Sequence, residues 1–172
     1  HLRYSSIPAY FSDGAERRSL GLQAGLESMR DLYERALPVR LTRPAVVVAL
    51  LATKDWQRVT TTPYGLPFIE TRVSPPILFI PAEAEGVAYV SLGARKSPIP
   101  KDDLDLYLDA TGKSFREISR EYVDATAFRE FGHILMQAYG IAPRSRWFGE
   151  FLAGYFGYAF VAETMPDRKR VL

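Results

Sequence analysis

The chain has 172 residues, of which 47% are hydrophobic and 24% charged, the make-up of an ordinary globular protein large enough for one domain spanning 1–172. Its 22 basic and 20 acidic residues leave a net charge of only +2. The short basic clusters, Arg17-Arg18 and Arg168-Lys169-Arg170, lack the aromatic interleaving of a nucleic-acid surface, so no nucleic-acid partner is expected. There is no cysteine, which excludes disulfides and thiolate metal sites.

In chain order, Leu2 to Ile7 suggests a short first strand ended by Pro8. Ser12-Asp13 then offers a helix cap. Leu22, Leu26, Met29 and Tyr33 follow at spacings of 4, 3 and 4, one apolar stripe on a helix over about 14–36 that Pro38 stops. The continuous run Ala45 to Leu51 predicts a central strand buried on both faces. Gln57 to Leu66 is polar, with Pro63 and Gly65, and reads as loop. Phe68 to Val73 and Ile77 to Ile80 are extended, and the prolines at 75, 76 and 81 mark the second as an edge strand. Val87 to Leu92 adds a further candidate strand.

The remainder reads as helical. Ser114-Phe115-Arg116-Glu117 has the spacing of a capping box. A second helix covers about 123–139, ending at Gly140 with Pro143 beyond, and a third about 147–163. The most apolar run, Phe151 to Ala162, is shorter than the roughly 20 residues that cross a bilayer, so no transmembrane segment is expected. Together these elements predict an α+β domain with a mixed sheet, an N-terminal helix packed on it and C-terminal helices after it. The chain opens at His1, as a processed, secreted or periplasmic product does, and equally a trimmed one. Compartment and oligomeric state stay open.

The chemistry-bearing stretch is Phe128-Arg129-Glu130-Phe131-Gly132-His133, with Glu150 seventeen residues after the histidine. Positions 129, 130 and 133 project from one side of a helix. A His-Glu-x-x-His helix uses that spacing to aim two imidazoles at zinc, with the glutamate as general base to the metal-bound water. Here Arg129 stands in place of the first imidazole. A guanidinium has no free lone pair and stays protonated, so it cannot coordinate a metal. Glu150 follows in Trp147-x-x-Glu150-x-x-Ala153-x-Tyr155, across a turn with Gly140 and Pro143 that folds the two helices together.

The segment over about 123–163 resembles the active-site region of gluzincin-type zinc metallopeptidases, and the order of elements before it is compatible with the peptidase MA-like, zincin-like layout. The resemblance implies a substrate cleft lined by an edge strand, for which Ile77 to Ile80 is the candidate. It makes His133 and Glu150 the second and third metal-ligand positions and Glu130 the general base, all vestigial because Arg129 fills the first. It implies no bound cofactor, or zinc if the site still works, and a peptide or protein as the cleft's ligand. The reading is a metallopeptidase-like domain without peptidase activity. Two alternatives stand beside it: a working hydrolase that recruits Asp124, Glu163 or a water as replacement ligand, and an unrelated α+β domain with a chance motif.

Glu150, set among Phe148, Phe151 and Leu152, needs a cation if it is buried. Arg129 is the candidate, pairing with Glu150 and with Glu130; the other outcome is Arg129 turned to solvent. Tyr155 and Tyr158 are candidate cleft-lining residues, or else core aromatics with hydroxyls at the surface. Gly154 and Gly157 are expected to permit close helix packing, since a mid-helix glycine otherwise costs about 1 kcal/mol.

Overall fold

A computed structural model describes residues 6–37, 46–83, 109–110 and 112–164. It shows an α+β architecture in which four strands form one mixed sheet. The first described strand is β1 (Ala9–Phe11), after Pro8; of the expected strand Leu2 to Ile7, residues 2–5 lie outside the described residues and Ser6 and Ile7 form a bend. Helix α1 (Glu16–Ala36) follows, then β2 (Val47–Leu51), helix α2 (Thr53–Val59), β3 (Phe68–Glu70) and β4 (Ile77–Pro81). The chain closes its described part with α3 (Phe115–Ala138) and α4 (Arg146–Thr164). The candidate strand Val87 to Leu92 and the stop at Pro38 lie outside the described residues.

The sheet runs β1-β2-β4-β3, with β1, β2 and β4 parallel and β3 antiparallel at the edge. The Pro-bracketed strand β4 is therefore interior, contrary to the edge expected from its prolines. The prolines sit where no donor is needed. Pro76 precedes the strand and accepts from Val47 N through its carbonyl at 2.9 Å. Pro81 ends it, and Ala82 N resumes the ladder by donating to Leu51 O at 2.8 Å.

β2 is central, and its alternation fills both faces. Val46, Val48 and Leu50 join Leu78, Ile80 and the buried stripe Leu22, Leu26 and Met29 of α1 in the main core, together with α3 and α4. On the opposite face Ala49 and Phe79 pack under Trp56. The expected loop over Gln57 to Leu66 holds from Thr60 onward, while Gln57 to Val59 instead finish α2. The polar heptapeptide Thr53–Val59 is a helix because the one ring of Trp56 is fully buried, donates Nε1–H to Thr62 O at 2.7 Å, and meets the rings of Tyr64 and Phe68 edge-on. Ser12 serves this helix rather than capping α1. Its hydroxyl donates to Asp55 Oδ2 at 2.6 Å and accepts from Ala52 N at 2.9 Å, while Ala15 occupies the α1 N-cap without a side-chain cap.

Candidate functional site

The Ser114 capping box forms as its spacing predicts. Ser114 Oγ accepts from Glu117 N at 3.2 Å, and Glu117 Oε2 accepts from Ser114 N at 2.7 Å. From there α3 runs unbroken for 24 residues, so the two helices expected at 114 and 123 are one. Nothing between them is a glycine or proline. Its end is a Schellman turn: Gly140 at φ 68° donates to Gln137 O at 3.1 Å and Ile141 N donates to Met136 O at 2.8 Å. The left-handed glycine reverses the chain and lays α4 back along α3.

The crossing is tight because of two glycines. A Cβ on Gly132 would lie 2.5 Å from the Ala153 carbonyl oxygen, and one on Gly157 would lie 2.9 Å from Arg129 N. Either methyl would force the helices apart. Gly154, by contrast, faces open space, so only Gly157 of the two expected packing glycines serves that purpose.

This crossing brings Arg129, Glu130, His133 and Glu150 together. Arg129 Nη1 donates to Glu130 Oε1 at 2.7 Å, and Nη2 pairs with Glu150 Oε2. His133 Nε2 lies 3.4 Å from the same Glu150 oxygen. The guanidinium thus turns into the site rather than toward bulk solvent. Glu130 is the most shielded of the four, its side chain 15% exposed against 39% for both Arg129 and Glu150. Burial pushes the Glu130 carboxyl above the usual glutamate value, Arg129 and His133 pull it back, and the Glu150 charge adds to the rise.

The other sequence candidates stand elsewhere. Tyr155 and Tyr158 are 58% and 48% exposed, and no hydrogen bond among the described residues joins either to the four site residues. Tyr33, expected only as the last residue of the α1 apolar stripe, also anchors α1 to α4: its hydroxyl donates to Phe156 O at 2.7 Å, and burial pushes its pKa to about 12. Asp124, a candidate replacement ligand, pairs with Arg18 at 3.1 Å from Nε in a separate cavity of about 790 Å³ at the start of α1. Glu163 is thirteen residues beyond Glu150 on α4, about 20 Å along the axis at 1.5 Å per residue.

A zinc ion does not fit this set. The Arg129 guanidinium engages both carboxylates, so oxygen lone pairs that would face a metal face Arg129 instead. Among the described residues no group of three or more His, Cys, Asp or Glu is placed to hold a metal ion. No helix among them is long and apolar enough to cross a membrane. In comparisons with known proteins, the chain matches no family model, no curated protein sequence and no solved structure.

Proposed function

We propose that this chain is a zincin-like domain of gluzincin type in which a fixed arginine has taken the metal's place, and that it binds a peptide without hydrolysing it. The observation that carries this reading is the Arg129 guanidinium, which reaches both Glu130 and Glu150 while His133 adjoins the same carboxylate. Both carboxylates of the proposed motif engage one monocation, and its histidine adjoins the Glu150 carboxylate. Without a metal to lower the pKa of a bound water, Glu130 has no activated nucleophile to serve and acts as an anionic partner.

The helix pair α3–α4 and the antiparallel edge strand support the same reading. α3 packs against both β4 and β3, and β3, at an edge of the described sheet, suits the role of cleft strand better than the interior Ile77 to Ile80 segment expected from sequence. An extended peptide pairing with β3 would gain main-chain hydrogen bonds along an edge that no other strand pairs among the described residues.

Metal analysis of the purified chain beside an Arg129→His variant tests the proposal. The native protein is expected to carry far less than one zinc per chain. The variant, with its new imidazole one helical turn from His133 and across from Glu150, is expected to take up zinc. Stoichiometric zinc in the native chain would refute the proposal, and absence of zinc from both would remove the support for a gluzincin ancestry.

A further inference from the structure

The cavity of about 790 Å³ at the start of α1 opens where three parallel strands end. Each strand's carboxyl end supplies part of its wall: Asp13 and Gly14 after β1, Ala52 after β2, Ala82 and Glu83 after β4. Ligands of open sheets gather at such ends, where the connections lead into helix N-termini. The flanks are helical. Arg17, Arg18 and Gly21 come from α1, while Arg120, Asp124 and Phe128 follow one another a helical turn apart on α3. The volume is that of a small-molecule site, and buried Leu22 and Phe128 give it an apolar floor.

Part of this wall is already satisfied. Arg18 donates through Nη1 to Pro81 O at 2.6 Å and to Ala82 O at 2.9 Å, and its other donors pair with Asp124. That pair ties α1 to α3 and contributes no net charge. The mouth is different. Arg17, Arg120, Asp13 and Glu83 are exposed there, two of each sign, and among the described residues none of the four forms a salt bridge. The first turn of α1 has no side-chain cap and adds the positive end of its dipole. Gly21 is an independent sign of a ligand. A glycine inside a helix costs stability and is ordinarily explained by packing or by function. A Cβ built on Gly21 meets nothing within 4 Å, so no packed neighbour requires it. It lines the cavity instead, where a large side chain would take up the space.

We infer that this cavity binds a short apolar peptide, two or three residues long, with both of its ends free and charged. The carboxylate lies against Arg17, Arg120 and the N-terminus of α1, the ammonium against Asp13 and Glu83, and the side chains over Leu22 and Phe128. Charge complementarity selects the zwitterion. A simple anion would leave Asp13 and Glu83 facing it unanswered, and a simple cation would meet the two guanidinia. A single amino acid would leave most of the volume unfilled. The inference is independent of the proposed role of Arg129, which leaves α3 on a different side from Arg120, Asp124 and Phe128. No residue of β3 lines this cavity.

Isothermal titration calorimetry of the 172-residue chain with leucyl-leucine, its N-acetyl derivative and its C-terminal amide tests it. The free dipeptide is expected to bind at least about tenfold tighter than either blocked form, since each block removes a charged hydrogen-bonding end. Arg17→Ala combined with Arg120→Ala should bring the amide level with the free dipeptide. Asp13→Asn combined with Glu83→Gln should do the same for the N-acetyl form. Gly21→Phe should abolish binding, and unchanged circular dichroism would show that this exposed position leaves the fold intact. Gly21→Ala is the control: its methyl meets no neighbour, so the melting temperature should rise and binding should persist. Equal affinity for the three peptides, tighter binding of the N-acetyl form or of inorganic phosphate, or no binding at all overturns the inference. So does binding indifferent to Gly21→Phe, which would place the peptide elsewhere on the chain.

Discussion

Replacing Arg129 by methionine keeps an unbranched helix former at the crossing and removes only the cation between two carboxylates. The loss divides unequally. Glu130, 15% exposed, forfeits a charged hydrogen bond of the kind that contributes about 1.5–3 kcal/mol. Both partners of the Arg129–Glu150 pair are 39% exposed, so solvent screening holds that share to about 0.5 kcal/mol. The variant should therefore be about 2–3.5 kcal/mol less stable near neutral pH. The deficit should depend on pH in a direction fixed by Glu130. Its folded-state pKa is already raised by burial, with Arg129 the strongest opposing influence, and the variant raises it further. The native state then holds a proton that the unfolded state has released, so stability falls as pH climbs from the usual glutamate value through the folded one. Urea unfolding at about pH 7 and about pH 4.5 should show the deficit shrinking markedly at the lower value. Arg129→Lys, a point charge that cannot span both carboxylates, should fall between. A deficit under about 0.5 kcal/mol, or one equal at both pH values, would show that the guanidinium does not hold this site.

Two glycines of neighbouring helices should respond to the same substitution with opposite sign. Gly132→Ala drives a methyl into the Ala153 carbonyl, and overpacking of about 1–3 kcal/mol should exceed the helix gain and lower the melting temperature. Gly154→Ala meets nothing within 4 Å and should raise the melting temperature by about 2–4 °C, provided the Ala-over-Gly preference of about 1 kcal/mol is realised. Equal shifts would mean the crossing is looser than described. Tyr33, its pKa pushed up from 10.0 to about 12, stays neutral in the folded state where the unfolded phenol ionises, so stability should fall as pH rises through that interval. Tyr33→Phe should abolish this part of the alkaline loss, which phenolate absorbance and thermal melts can follow together.

What was legible in the sequence was what a single element decides for itself. The α1 stripe, the doubly buried β2 and the Ser114 capping box each carry their own signal, periodic or local, and each formed in place. α2 was invisible because Thr53–Val59 carries no periodic apolar stripe, only the single ring of Trp56. Its stability comes from Trp56 seated under β2 and β4, a contact between segments. β4 was misplaced for a related reason: proline excludes a residue from donating, not a strand from the interior, and Pro76 and Pro81 occupy its ends. At the site, the helical repeat put Arg129 and His133 on one side, and the cost of an unpaired carboxylate named Arg129 as partner to Glu150. The part played by Gly132 was not readable, because it depends on where the Ala153 carbonyl falls after the chain has turned at Gly140.

That turn and that crossing bear on how one arginine can hold the two helices together. The backbone of Arg129 itself touches Gly157, so its side chain leaves from the point where the two helices meet. From there a guanidinium needs little reach to engage a carboxylate on each helix, and its planar fork supplies two donors directed apart. Two carboxylates gathered at a helix crossing repel unless a cation sits between them. In the proposed reading the arginine keeps the architectural half of the metal's work, holding α3 to α4, and abandons the chemical half, since it can neither bind water nor open a coordination site. A substitution that loosens the crossing at Gly157 should therefore weaken the Arg129–Glu150 pair as well, because the same few atoms fix both.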